Sequence, residues 1–224
     1  MSDLTGSRGV FNQISRLGKA FSSATRLEII HRLSQAPRTV ESLAESIGQS
    51  TANTSHHLQK LRDVRLVESE RDGVHMIYRL ADEEVVRAYQ MLRRLAEARL
   101  FEVQEFMRRF VDEQDQVKAF DPDQFLERVR QGEVTVVDVR STEEYRAGHI
   151  PGAVSIPLEE LEERVSELPP DQNVVAYCRG PFCALSLEAV DVLRDNGFEA
   201  KRLDQGVPDW KQQGLPVERD RDGQ

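Results

Sequence analysis

The chain has little cysteine, no long apolar run and no surplus of positive charge, and each shortage excludes something. Two cysteines in 224 residues cannot build the disulfide framework of a small secreted protein. Nowhere do the roughly 18 consecutive apolar residues of a membrane span occur, so no membrane partner is expected. The opening Met1-Ser2-Asp3-Leu4-Thr5-Gly6 lacks a basic segment leading into an apolar one. A secretory signal is therefore not expected, and the protein is expected in the cytoplasm. The formal net charge is -9, unevenly placed: residues 1–118 hold 18 Lys and Arg against 17 Asp and Glu, and the remainder holds 12 against 22. Two domains of different electrostatic character follow. The acidic half is a poor candidate for nucleic acid, whereas the near-neutral half can bind it if its charges are segregated. With 39% hydrophobic and 31% charged residues, the composition is that of a globular protein with material for a core.

Both cysteines lie in one stretch, Val174-Val175-Ala176-Tyr177-Cys178-Arg179-Gly180-Pro181-Phe182-Cys183-Ala184. An apolar run rich in β-branched residues, a Gly-Pro loop, and helical spacing from Leu185 predict a strand that delivers Cys178 into a turn at a helix start. Backbone N–H groups there carry partial positive charge, which favours an anion and lowers a thiol pKa. A reactive thiol is the expectation, and a small buried cysteine pair is the plainer alternative.

In the first half, Phe11, Ile14, Leu17, Ala20 and Phe21 recur at helical spacing, and Leu27, Ile29, Ile30 and Leu33 form a second pattern closed by Pro37. Thr39 is placed to cap a third helix carrying Leu43, Ala44 and Ile47 and stopping at Gly48. Ser50 is placed to cap a fourth, with Thr54, Leu58 and Leu61 on one face and Ala52, Ser55, His56 and Gln59 on the other. Two short helices across a tight glycine turn form a helix-turn-helix pattern. Small residues at the second helix's start let it approach a major groove, where hydroxyl, imidazole and amide groups reach base edges and phosphates. Leu66 to Arg71 and Val74 to Leu80 then flank Asp72-Gly73, predicting a two-residue hairpin turn and hence a wing.

This order, with Ser55-His56-His57-Leu58-Gln59-Lys60-Leu61-Arg62 leading to Leu66-Val67 and Tyr78-Arg79-Leu80, resembles the ArsR/SmtB family of winged-helix repressors. The resemblance implies a homodimer reading an inverted repeat in double-stranded operator DNA. Thr51, Ala52, Ser55 and His56 would face the bases with Gln59, and the wing tip near Arg71 would reach the backbone. Lys60, Arg62 and Arg65 would add phosphate contacts. The metal-binding cysteine pair of many members is missing from Val40 to Ile47, and no histidine lies between Met76 and Gly148. No metal and no cofactor is expected.

Val85, Val86, Tyr89, Leu92, Leu95, Ala96, Leu100, Phe101 and Phe106 predict one long amphipathic helix from Asp82 to about Phe110, which in the family packs against its twin. Polar residues 113–120 read as a linker between a DNA-binding and dimerisation domain over 1–112 and a second domain over 121–219, with a polar tail at 220–224. The second domain opens at Asp121-Pro122, an N-cap followed by proline. A helix through Phe125, Leu126 and Val129, a buried strand Val134 to Val139, the strand before Cys178, a helix from about Ala184 to Asn196 and a strand Ala200 to Leu203 indicate a parallel α/β sheet. Its ligand belongs at the strands' carboxyl ends.

Val137-Asp138-Val139-Arg140, Glu143-Glu144-Tyr145, Gly148-His149-Ile150-Pro151-Gly152-Ala153, the Cys178 loop, Gly206-Val207-Pro208-Asp209-Trp210 and Gly214-Leu215-Pro216-Val217 resemble a rhodanese (sulfurtransferase) domain. The resemblance implies that Cys178 is the nucleophile that takes a sulfane sulfur as a persulfide, ringed by the amides of Arg179, Gly180, Pro181 to Phe182 and Cys183. Proline has no N–H to give, so Pro181 contributes shape alone. Arg140 would be a structural tie. Pro181 and Cys183 stand where the common loop has glycine and a basic residue, which puts thiosulfate recognition in doubt and supplies a resolving thiol. The fold class expected is a mainly α winged helix-turn-helix followed by an α/β domain with a parallel sheet. The function expected is a DNA-binding regulator that senses or transfers reactive sulfur, with a small sulfur donor and a thiol acceptor as partners. The alternative is a sulfurtransferase whose winged helix serves for dimerisation or localisation.

Overall fold

A computed structural model describes residues 7–110, 122–170 and 172–220. The linker 113–120, the cap Asp121 and residues 221–224 of the tail lie outside them. The chain divides into two compact units, Met1–Arg94 and Leu95–Gln224.

The first unit begins with α1 (Ser7–Ala20), α2 (Ala24–Leu33), the short strand β1 (Arg38–Thr39), α3 (Val40–Ser46) and α4 (Thr51–Asp63). The hydroxyl oxygen of Thr39 accepts the Ser42 amide at 3.2 Å, and that of Ser50 accepts the Asn53 amide at 3.2 Å, so both predicted caps form. On α4 the spacing buries Thr54, Leu58 and Leu61 against Ile29, Ile30 and Leu43, leaving the opposite face to solvent. Strands β2 (Val67–Asp72) and β3 (His75–Leu80) form the wing, and β1 adds to β3 to give a sheet of order β1-β3-β2. Arg79 bridges Glu68 and Glu70 across the hairpin, at 3.1 Å to each.

The turn differs from expectation by one residue. Asp72 pairs with His75, so the loop is Gly73-Val74 rather than Asp72-Gly73. Gly73 takes the first loop position at φ 57, a left-handed conformation open to glycine without steric cost, and Asp72 stays in the strand. The long helix also differs. It is α5 (Glu83–Arg99) followed by α6 (Phe101–Phe110), broken at Leu100. The Gln104 side-chain amide donates to the Glu97 carbonyl at 3.0 Å, taking the place of a backbone donor and interrupting the helical ladder.

Beyond the linker come α7 (Pro122–Arg130), β4 (Val134–Asp138), α8 (Thr142–Ala147), β5 (Val154–Ser155), α9 (Leu158–Arg164), β6 (Asn173–Tyr177), α10 (Leu185–Asp195), β7 (Ala200–Leu203) and α11 (Val207–Gln212). The four strands are parallel in the order β5-β4-β6-β7. Alternation along β6 sends Val174 and Ala176 to one face, with Ala189, Val190 and Leu193, and Val175 and Tyr177 to the other, with Phe125, Ile150 and Trp210. Both faces are covered, which is why these strands read as unbroken apolar runs. The sheet's carboxyl edge holds a buried polar knot. Arg140 and Asp138, both fully buried, meet at 2.6 Å, Arg140 also donates to the Gly148 carbonyl at 2.8 Å, and the Tyr177 hydroxyl donates to Asp138. Despite burial, which opposes its charge, Arg140 is held above the ordinary arginine pKa by Asp138. Arg140 is thus a tie, as the resemblance implies. Asp138→Asn, which leaves that guanidinium buried without a counter-charge, should cost about 3–5 kcal/mol in denaturant unfolding.

Candidate functional site

The register of β4, β6 and β7 fixes where the thiol loop emerges. Cys178 is the first residue after β6, beside the carboxyl ends of β4 and β7, and the loop 178–183 runs from there to the start of α10. Gly180 adopts φ 126, and the Cys183 amide donates back to the Gly180 carbonyl at 3.1 Å, closing a tight turn. From below, Arg202 of β7, fully buried, donates to the Pro181 carbonyl at 2.9 Å. Gly206 presses on the loop from the side. A Cβ there would sit 2.7 Å from the Arg179 carbonyl group, so the residue has to be glycine unless the loop moves. Phe182 is exposed at the tip.

The two thiols differ in surroundings. Cys178 is 1% exposed, and its S–H faces acceptors, the Ser186 hydroxyl oxygen at 3.3 Å and the Cys183 carbonyl at 3.6 Å. Burial, reinforced by Cys183, pushes the Cys178 thiol well above the ordinary cysteine range. Cys183 is half-buried, with the Arg179 guanidinium 4.0 Å from its sulfur. A hydrogen bond from Cys178 brings the Cys183 thiol down to about 6 against the opposing effect of burial, aided by the Arg179 amide and charge and the Leu185 amide. The expectation of a depressed Cys178 pKa is therefore corrected. Donors serve both sulfurs: the Arg179 and Leu185 amides act on Cys183, while the Ser186 amide and hydroxyl act on Cys178, where burial outweighs them.

Arg179 is not free to grip a substrate. Its guanidinium forms a two-pronged pair with Glu144, at 2.7 and 2.6 Å, and that carboxylate is fully buried and also closes the capping box of α8 with Ser141. Sequence reading quoted Glu144 without giving it a role, although Ser141-Thr142-Glu143-Glu144 carries a capping-box pattern. Ser186, Arg202 and Gly206 were likewise given no part in the loop, because their contacts are made across the fold. The sheet's opposite end carries an open cavity of about 660 Å³ lined by Phe125, Arg128, Asn173, Arg194, Phe198 and Lys201, with no thiol.

On the first unit, Thr51, Ala52, His56, Gln59, Lys60, Arg62, Arg65 and Arg71 are all exposed and Ser55 is half-buried, so α4 and the wing present the side chains expected to meet DNA. Arg16 and Lys19 of α1 line a shallow pocket with His56 and Lys60, adding cations beside α4. Arg26 in the same pocket donates to the carbonyls of Ala20 and Lys19, at 2.6 Å each, and so ends α1. His57 points inward, and burial, then Arg26 and His56, lower its pKa. Arg65 adopts φ 59 while the Leu66 amide closes on the Leu61 carbonyl at 3.0 Å, a helix end where an arginine costs about 1 kcal/mol more than glycine.

Residues 23–69 match the model of a family described as bacterial regulatory protein, arsR family, and residues 121–213 match that of the rhodanese-like domain. An HTH-type transcriptional regulator of Mycobacterium tuberculosis is 41% identical over 93% of this chain and 92% of its own length. A sulfurtransferase of Allochromatium vinosum is 34% identical over 45% of this chain and 94% of its own. The solution structure of a homodimeric winged helix-turn-helix DNA-binding domain from Mycobacterium bovis is 33% identical, covers 44% of this chain and 91% of that one, and superposes with a TM-score of 0.41.

Replacing Arg179 by methionine removes the nearest cation from Cys183 while keeping much of its packing. The midpoint of the pH profile for alkylation at Cys183, lowered in the parent by its hydrogen bond from Cys178 and by Arg179, should move up, and the fraction reacting as thiolate at neutral pH should fall.

Proposed function

This chain belongs to the ArsR family of transcriptional regulators, in a form that carries a C-terminal rhodanese domain, and on that premise we propose that the thiol loop is its input, taking up reactive sulfur and thereby altering operator affinity. One observation carries the reading. Both cysteines of the protein sit in a single loop beside the Arg179 guanidinium, in a chain whose DNA-binding half has no thiol at all. A thiolate at neutral pH attacks sulfane sulfur, and the polysulfide or persulfide donor needs no metal to react. The fixing of Arg179 on Glu144 and the cysteine at the loop's usual basic position favour sensing over turnover of a dianionic donor, which would need a free cation to hold it.

The output is a homodimer on an inverted repeat of double-stranded DNA. Val10, Phe11 and Ile14 of α1 and Met91 and Leu92 of α5 are exposed apolar side chains, and a second copy packed there would cover them. Thr51, Ala52, Ser55, His56 and Gln59 then read bases, while Lys60, Arg62, Arg65 and Arg71 hold phosphates.

The deciding experiment is binding to the DNA upstream of the protein's own gene, before and after treatment with inorganic polysulfide. Affinity should change on treatment in the parent and stay constant in Cys178→Ser, Cys183→Ser double variant protein. Equal binding by all four preparations would sink the sensing role, and appreciable turnover with cyanide and a sulfane donor at unchanged DNA affinity would favour the sulfurtransferase alternative. In the same assay Lys60→Ala and Arg71→Ala should each weaken binding across sequences and reduce the slope of log affinity against log salt by about 1. Phe11→Glu should shift the protein from dimer to monomer in sedimentation and weaken operator binding with it.

A further inference from the structure

We infer that Arg202 of β7 is the counter-charge for sulfur taken up on Cys178, a buried cation that stabilises the anion of a Cys178 persulfide from behind the loop. This rests on the sulfur-sensing reading and names the group that holds its loaded state. Arg202 is fully buried, and one Nη donates to the Pro181 carbonyl at 2.9 Å. Its Nε and its other Nη are buried without an acceptor, and no carboxylate among the described residues pairs with it. The neighbouring guanidiniums are committed elsewhere, Arg179 to Glu144 and Arg140 to Asp138. A buried guanidinium with neither a counter-charge nor its full set of hydrogen bonds is costly to fold. Its place in the sheet shows what it serves. Alternation along β7 sends Ala200 into the cluster that contains Cys178 and Leu203 into the opposite one, and Arg202 pairs in register with Ala176 of the Cys178 cluster. The guanidinium therefore lies on the Cys178 side of the sheet, against the loop that carries the thiol.

The reduced thiol makes little use of that charge, since burial holds the proton on Cys178 over the donors that Ser186 supplies. Loading changes the balance. The Cys178 sulfur attacks the sulfane sulfur of a persulfide or polysulfide, a bond forms between the two sulfurs, and the donor's own S–S bond breaks. The donor's thiolate leaves with the electron pair and takes up the proton from Cys178. The added terminal sulfur, more acidic than the thiol it replaces, then releases its proton to solvent and leaves a full negative charge on the loop. Arg179 and Cys183 of the loop, Ser186 of α10 and Arg202 of β7 are the charged and titratable groups around it. Of these, Arg202 alone is a cation without a carboxylate, and in a dry interior an unpaired cation acts strongly on a nearby anion. The charge that is unfavourable in the reduced protein thus becomes favourable once sulfur is bound.

The test uses the full-length chain carrying Cys183→Ser, so that the second thiol cannot discharge the persulfide, exposed to inorganic polysulfide. The added sulfur is located by peptide mass spectrometry, and its ionisation is followed against pH by the near-ultraviolet absorbance of the perthiolate. Arg202→Gln keeps a donor for the Pro181 carbonyl and loses the charge, whereas Arg202→Lys keeps the charge. In Arg202→Gln the Cys178 persulfide should ionise about one pH unit higher, which is about tenfold less anion at a fixed pH below the midpoint, and Arg202→Lys should stay close to the Cys183→Ser reference. Reduced Arg202→Gln should unfold at no lower a temperature than that reference, because a desolvated charge has gone. Ionisation at the same pH in all three proteins would overturn the assignment and leave the sensing reading standing. So would a shift in Arg202→Gln that Arg202→Lys shares and that comes with an equal loss of reduced-state stability, the mark of a tie for the loop backbone. Neither added sulfur nor a disulfide in the polysulfide-treated parent would overturn both.

Discussion

A fully buried carboxylate, Glu144, holds the one arginine of the thiol loop, and the arrangement of the site follows from that pair. Both charges are largely out of water, so each is tolerable only while the other is present, and the pairing fixes Arg179 to within a hydrogen bond's length. The carboxylate is itself held by Ser141 at the head of α8, which makes the helix start, the loop arginine and the charge beside Cys183 one connected unit. With its guanidinium so committed, Arg179 serves the loop's own sulfur and cannot turn outward to a substrate. Arg202 at the Pro181 carbonyl and Gly206 against the Arg179 backbone restrict the loop from two further sides.

The legibility of the chain follows the range of the interactions that shape it. Caps at Thr39 and Ser50, the apolar face of α4 and the alternating burial of β6 depend on neighbours a few residues away, and the sequence reading located them. The one-residue displacement of the wing turn shows the limit even of local signals, since Asp72-Gly73 and Gly73-Val74 both satisfy a glycine in a two-residue loop and strand pairing decides between them. The break at Leu100 went unread because the apolar period continues through it, and it is a side chain, Gln104, that interrupts the ladder. The thiol loop was found from its residues and its resemblance. The distribution of charge within it was not, because Glu144 and Arg202 reach it from α8 and β7. A motif identifies which residues are present, and which of two thiols ionises depends on what the rest of the fold packs against them.

The division of labour between the halves constrains how a signal can travel. The DNA-binding half has no thiol to oxidise, and the rhodanese half carries the acidic surplus, which disfavours contact with DNA. On the sensing reading, coupling would have to be a difference in contact energy between reduced and oxidised states of the loop. On the sulfur-sensing reading, sulfur taken up on the loop would change the charge and volume beside Arg179, where the two thiols already lie within hydrogen-bonding reach of each other. The contacts that register this change are those already touching the loop: Glu144 at the head of α8, Arg202 on β7 and Gly206 at the head of α11. Because Glu144 and Arg202 are fully buried, neither could relax into solvent, and a shift of the loop on the sensing reading would be passed to α8 and β7 instead of being absorbed at the surface.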